Sequence, residues 1–406
     1  MKILKNIALW KKILAGVVVG LAIGIISPAT ANTLSPLGDV FLRMLRMLIV
    51  PLVFFSITSG ICKMGDVKQL RTVGLLYSLW IVVSAAIAAA FGVIIAVALQ
   101  LGKGTTEFLA HGQEVNTVSY SFINNVVSWF PTNIIEAFYN ANMLQIIVFC
   151  LFFGVALLVL GEKVKSLVKG IDQASSAMLK ITEFIMEFSP IGIMSLMATM
   201  VSTITGAMMK EILLFIVADA VCCFLVLIFV YLVLVKLASG INPFKFMKKI
   251  TTPIIVAIST CSSAATLPVS IKVTDEELGI PENVYGFTLP LGNTCGMTGF
   301  ALFVGMCCIF ASNLYGFSIT IGGIVQFVFL GIILSIGAAG VRGAGIVMST
   351  VLLETLGMPL TIIPILAAIW PTIDPGHTVL NNAGDLCGTA IIAKRLGLMD
   401  MEVFEK

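Results

Sequence analysis

The sequence predicts an all-α integral membrane protein of eight transmembrane helices plus two re-entrant helical hairpins. Three observations carry that prediction. Of 406 residues, 59% are hydrophobic and 11% charged, with a mean hydropathy of +1.08, whereas about a quarter of a soluble domain is charged. Apolar runs of a length that crosses a bilayer recur along the whole chain. Two late runs are interrupted at their centres by STCSSAATLPVS and SIGAAGVRGAG, residues that favour turns and alternative backbone bonding over a continuous helix.

The first span covers residues 9–26 and ends in SPATANTLSP, read as an uncharged, turn-rich loop. The second covers 37–61 and is followed by KMGDVKQLR; the third covers 73–101. Lys63, Lys68 and Arg71 share a side with the N-terminal lysines while the first loop has no Lys or Arg, so the positive-inside rule puts the N-terminus in the cytoplasm. The lysines before the first span open an apolar run too long for a signal-peptide core, so that run is read as a helix and not a leader. Residues 102–142 are polar and are read as an extracytoplasmic loop; a fourth span, 143–161, returns to the basic EKVKSLVK inside.

Spans at 178–200 and 212–237 lead to a third basic loop, NPFKFMKK. Residues 251–273 have cytoplasmic-looking flanks on both sides and are read as a hairpin that enters and leaves on one face. A seventh span, 285–311, carries LPLGNTCGMTGFAL, whose two glycine-rich interruptions predict a broken helix; such a break is tolerated at membrane depth only where the opened backbone lines a cavity or protein interior. Residues 321–353 repeat the hairpin pattern from the outside, and a last span ends in AKRLG, with Lys394 and Arg395 inside. Paired interrupted segments of this kind point to the binding site of a secondary transporter.

The last span also carries a polar stripe. Asp374 is followed at three, seven and eleven residues by His377, Asn381 and Asp385, one slowly drifting helix face at 3.6 residues per turn. An intramembrane carboxylate costs ~2.5–3.5 kcal/mol on insertion scales and is a functional-site candidate by default. The bland alternatives are pairing with a nearby Lys, snorkelling at a helix end, and close helix packing for the small-residue clusters. His377 is a packing histidine, a proton relay or a ligand contact; Arg342 is a gate-surface charge or an anion-binding group. Arg43 and Arg46 read as interfacial snorkelling residues or a subunit contact. The nine cysteines have no metal-ligand spacing and read as small hydrophobes. The net charge of +3 comes from the basic loops, and nothing suggests a nucleic-acid surface.

SSAATLPVS, LPLGNTCGMTG and DPGHTVLNNAGDLCGTAIIAK, in this order, resemble the dicarboxylate/amino acid:cation symporter family, the glutamate transporter homologues. FLRMLRMLIVPLVFFSITSGI and NMLQIIVFCLFFGVALLVLG resemble that family's second and fourth helices, so the likeness spans nearly the whole chain. The resemblance implies a homotrimer of the elevator type: scaffold helices at 1–72 and 143–211, an extracytoplasmic loop at 102–142, and a transport domain from 73–101 and 212–406. It implies that Asp374 takes the substrate amino group and that Thr378 and Asn381 make polar contacts. Ser262 and Ser263 lie in the first hairpin tip, which receives the substrate carboxylate; Ala339, Gly340 and Gly343 lie in the second tip, the outer gate, which runs to Gly345. One Na+ site would use Asp385 with carbonyls of Gly292, Gly296 and Asn381. A second would use the backbone of Thr294, Ser335 and Ile336, with Met297 between. A hard cation wants oxygen ligands, and an unwound helix supplies them.

The departures from the family pattern are informative. Its NMDGT reads GMTGF at 296–300, so Thr298 replaces an aspartate and Gly296 an asparagine of a third, deeper Na+ site, and Ile81 and Ala85 flank Ser84 where that site's other partners would be. Without a carboxylate a buried cation loses its charge compensation, which predicts fewer coupled Na+ ions, or H+ instead. The arginine that grips an acidic side chain is His377 here, and a neighbouring threonine is Phe300; a bidentate fork is lost and apolar bulk gained. The expected activity is therefore import of a small neutral amino acid coupled to Na+ across the cell membrane, with both termini cytoplasmic. Rival readings are a proton-coupled or exchange carrier for an acidic amino acid, a channel, and an intramembrane hydrolase using Ser262 or Ser263 with His377 and Asp374. Nothing marks an oxyanion hole for the last, and no enzyme activity is expected.

Overall fold

The structure, a computed structural model, describes residues 9–63, 71–105, 127, 129–201, 206–338 and 344–405. Among them the regular structure is helical throughout. The chain begins with α1 (Leu9–Ile26), α2 (Pro28–Lys63) and α3 (Arg71–Ala98), followed by the short α4 (Ile134–Tyr139), α5 (Met143–Leu160) and α6 (Lys165–Val201). Next come α7 (Gly206–Leu225), a π-helical stretch (Val226–Leu232), α8 (Val233–Ser239) and α9 (Pro243–Lys249). The rest comprises α10 (Thr251–Thr260), α11 (Ser263–Glu276), α12 (Glu282–Cys295), α13 (Thr298–Tyr315), α14 (Ile321–Gly337), α15 (Ala344–Thr355), α16 (Ile363–Arg395) and α17 (Met401–Glu405). By length and hydropathy, four described stretches suffice to cross a membrane: Thr72–Ala98, Gln145–Thr182, Gly206–Ser239 and Glu282–Tyr315.

Two expected loops are helical instead. SPATANTLSP is reduced to Ser27, because α2 starts at Pro28. Pro is preorganised for the first turn of a helix, and the extension is held by packing on α6, where Gly38 N–H donates to Ser195 Oγ at 3.1 Å. EKVKSLVK forms a 3-10 turn (Gly161–Val164) running straight into α6, so the fifth helix starts well before residue 178. The extracytoplasmic loop lies largely outside the described residues, as does the second hairpin tip with Ala339, Gly340, Arg342 and Gly343.

α1, α2, α5 and α6 pack on one another. Gly16, Gly20 and Gly24 of α1 face the carbonyls of Pro190, Met194 and Ala198 of α6 so closely that a Cβ on any of them would overlap the facing oxygen. This is small-residue packing at four-residue spacing. On the other side α3 packs on α13 and α14. α13 is buried along almost its whole length and packs on α3, α14 and α16, while the α10–α11 pair packs on α16.

Candidate substrate and cation site

Three local interruptions converge on one face of α16. The first is the tip between α10 and α11, which pack against each other. α10 ends at Cys261 in the left-handed region (φ 49°), Ser262 is extended (φ −147°, ψ 113°), and α11 begins at once. Ser262 Oγ caps the new helix by accepting from Ala265 N–H at 3.3 Å, the usual work of an N-cap serine. The second interruption lies between α12 and α13. Thr298 N–H donates to Gly296 C=O at 2.8 Å across Met297 (φ −79°, ψ 62°), the geometry of an inverse γ-turn. Of the two glycine-rich interruptions expected in this span only this one opens the helix; Gly292 lies inside α12 and Gly299 inside α13. Gly299 is required because a Cβ there would overlap the backbone of His377. The third is α16 itself, in which Pro371 and Pro375 each remove a backbone donor.

Seven expected substrate residues, Ser263, Met297, Phe300, Asp374, His377, Thr378 and Asn381, line one pocket among these interruptions. Ser262 is spent on capping and does not line it. Asn381 Oδ1 accepts from Gly299 N–H at 2.7 Å and its Nδ2 lies 3.3 Å from Met297 Sδ, tying the turn to α16. Thr378 Oγ1 donates to Asp374 C=O at 2.9 Å, and Asn382 Nδ2 donates to Ser263 Oγ at 3.3 Å, tying the hairpin tip to the same helix.

The expected cation residues surround the α12–α13 break. A Cβ on either Gly292 or Gly296 would strike Asp385 Oδ1. Thr294 Oγ1 returns to Pro290 C=O at 2.8 Å and Ser335 Oγ to Ile332 C=O at 2.7 Å, so both hydroxyls serve their own helices. A Cβ on Gly60 would meet Cys295 Sγ and, at 3.8 Å, the Ile336 carbonyl, which brings the end of α14 to the break.

Several site residues are absent from the sequence reading. Asp219 of α7 accepts from His377 Nε2 at 2.9 Å through Oδ1, with both side chains buried, and from the Cys223 thiol at 4.0 Å through Oδ2. Asp219, Cys223 and His377 offer ligating atoms within 4.8 Å of one another, and both Asp219 oxygens are engaged by these hydrogen bonds. Asp219 carried a legible signal, a lone carboxylate in LLFIVADAVCCFL, and the default that marks intramembrane Asp applies to it equally. Cys261, Ala338 and Trp370 also line the pocket, beside Gly345 at the end of the expected second tip, and Tyr77 donates to Asp385.

The family model described as the sodium:dicarboxylate symporter family matches residues 9–395. The chain is 30% identical over 413 residues to a proton/sodium-glutamate symport protein of Geobacillus stearothermophilus, covering 98% of this chain and 97% of the relative. It is 28% identical over 408 residues to a C4-dicarboxylate transport protein of Bacillus subtilis, covering 97% and 94%. It is also 28% identical over 426 residues to the neutral amino acid transporter B(0) of Oryctolagus cuniculus, covering 94% and 78%.

Proposed function

The chain belongs to the sodium:dicarboxylate symporter family, and on that premise we propose that it imports a small neutral amino acid together with Na+. Membership makes it a cation-coupled membrane symporter of dicarboxylates or amino acids and not an enzyme. The neutral reading is carried by one observation. The described pocket-lining residues include Asp374 but no lysine or arginine, and the His377 imidazole is already bound to Asp219. A substrate ammonium finds a carboxylate there, while a second substrate carboxylate finds no uncommitted cation among the described residues. An unpaired charge in such a place is expensive.

In this reading Asp374 takes the amino group, and Ser263 with the start of α11 takes the α-carboxylate, helix N-termini being favourable for anions. Asp385 and the opened carbonyls hold Na+, with the Thr294, Ser335 and Ile336 backbone as a second site. α3 and the elements from α7 onward move together against α1, α2, α5 and α6, in a homotrimer of the cell membrane with cytoplasmic termini. The test is uptake in proteoliposomes of a panel of neutral and acidic amino acids and C4-dicarboxylates, with Na+ replaced by choline at two pH values. Na+-dependent uptake of alanine or serine that excess aspartate fails to suppress supports the reading. Preference for aspartate or a C4-dicarboxylate, or uptake driven by a pH gradient without Na+, overturns it.

A further inference from the structure

The segment after α16 folds back on the first hairpin. Beyond Arg395 the chain turns at Gly397 (φ 68°) and continues into α17. Arg395 Nε donates to Ala238 C=O at the end of α8 at 2.7 Å. Asp400 N–H donates at 2.7 Å to Gly279 C=O, in the link between α11 and α12. Gly279 has φ 64°, and a Cβ there would stand 2.6 Å from the Asp400 carbonyl oxygen, so both the turn and the close approach call for glycine. Asp400 Oδ1 accepts from the N–H groups of Glu402 at 2.9 Å and Val403 at 3.3 Å and so starts α17. That helix buries Phe404 completely, with Lys249 Nζ of α9 5.5 Å from the centre of its ring. Lys245 Nζ, also on α9, pairs with Glu405 Oε2 at 2.6 Å and donates to the Glu405 carbonyl.

These contacts fall on both ends of one hairpin. α9 runs through Ile250 into α10, and α11 runs through Gly279 into α12, so residues 395–405 hold the entry and the exit of the α10–α11 pair together. At the far end the tip supplies Cys261 and Ser263 to the pocket, and Ser263 accepts from Asn382 of α16 at 3.3 Å. That bond is longer than the usual hydrogen-bond range. The base is held more firmly. Its Lys245–Glu405 pair is partly exposed and contributes little by itself, but fully burying a phenylalanine such as Phe404 shifts an opening equilibrium ~10–100-fold. We propose that residues 395–405 are a strap that closes the base of the α10–α11 hairpin and so keeps its tip seated on α16. Because the strap continues α16, it fixes the base to the helix on which the tip rests, and the hairpin swings off α16 only after Phe404 is freed. The strap is independent of which substrate the pocket takes.

The experiment uses native cysteines as reporters: Cys261 at the tip, Cys62 on α2, Cys150 on α5, and Cys307 and Cys308 on α13, all of them buried. The protein in proteoliposomes is treated with N-ethylmaleimide, and labelling of each cysteine is followed by mass spectrometry. Removal of residues 400–406 and, separately, Phe404→Ala should each speed labelling of Cys261 at least ~10-fold. Cys62, Cys150, Cys307 and Cys308 should stay as slow as in the wild type. Phe404→Ala is the deciding variant should the shortened chain fail to fold. Unchanged Cys261 labelling in Phe404→Ala would overturn the strap, as would a rise shared by all five cysteines, which marks general destabilisation. Wild-type Cys261 that reacts as fast as in the urea-denatured chain would overturn it too. None of these results bears on the neutral amino acid reading, which the uptake panel tests separately.

Discussion

Tyr77 of α3 donates its hydroxyl hydrogen to Asp385 Oδ1 of α16 at 3.2 Å, and both side chains are buried. The bond orients the carboxylate against the α12–α13 break, where Gly292 and Gly296 leave room for it. Partners behind a ligand typically contribute 10–100-fold to ion affinity. Tyr77→Phe, which keeps the ring, should therefore raise the Na+ concentration for half-maximal uptake ~10-fold and leave the substrate KM at saturating Na+ unchanged. A Na+ titration of uptake in proteoliposomes checks this, and an unaltered Na+ dependence would remove Asp385 from the cation site.

The same carboxylate sets a steric prediction. A Cβ on Gly292 would overlap Asp385 Oδ1 and the Tyr77 hydroxyl, whereas a Cβ on Gly286 of the same helix meets only Glu282 Cγ at an ordinary 3.7 Å. Gly292→Ala should abolish Na+-dependent uptake by displacing the carboxylate. Gly286→Ala should retain it, with a small gain in helix stability of up to ~1 kcal/mol. Comparable uptake by the two variants at equal expression would show that the carboxylate has no need of that space.

Asp374 is the carboxylate among the described residues that line the candidate pocket. Ligand at ~100 times Kd stabilises a protein by ~2.7 kcal/mol, which thermal unfolding in detergent resolves. Asp374→Asn should unfold at the wild-type midpoint without substrate and lose the upward shift when substrate is added. A preserved shift would mean that the ammonium is held elsewhere.

The order of hydrophobic runs was legible because membrane helices must be apolar over a set length, and the break between α10 and α11 because STCSSAATLPVS departs from that rule visibly; the tip expected in SIGAAGVRGAG lies outside the described residues. The α16 stripe was legible because its members share one helix. What escaped was pairing between helices. Asp219 and His377 are 158 residues apart and Tyr77 and Asp385 are 308 apart, and no periodicity within one helix reports on a partner in another. Trp370 was passed over because in an apolar run an indole reads as bulk, and only its unpaired nitrogen distinguishes it. The start of α2 was misread for a local reason: Pro, Ser, Thr and Asn signal a turn in sequence, but Pro28 sits at a helix start and the following turns rest on α6.

The glycine stripe of α1 gives a prediction about stability alone. Gly20 faces the Met194 carbonyl, and Met197 Cβ lies 2.9 Å from where its own Cβ would be. Gly20→Ile should push α1 off α6 and lower stability by ~1–3 kcal/mol, the usual cost of overpacking. It should be read as a lower midpoint of thermal unfolding, with the substrate KM of the remaining folded protein unchanged. Gly170→Ile on α6, whose Cβ would meet nothing within 4 Å, is the control that should move the midpoint far less.

The last prediction concerns how many ions travel with the substrate. Thr298 is buried, with Oγ1 3.5 Å from the Gly296 carbonyl, and Ser84 of α3 bonds its own helix at Ile81 C=O, 3.2 Å away, between buried Ile81 and Ala85. Two hydroxyls without a charge of their own stand where the family resemblance implies a carboxylate, and a desolvated monovalent cation needs a negative partner to offset the water it sheds. The two sites proposed above, one at Asp385 and one at the Thr294, Ser335 and Ile336 backbone, would limit coupling to two Na+ per substrate. A tenfold Na+ gradient supplies ~1.4 kcal/mol per ion. With the membrane potential clamped at zero, accumulation of substrate should thus level off near ~100-fold for such a gradient. A plateau near ~1,000-fold would require a third ion, and with it a ligand set that Thr298 and Ser84 do not provide.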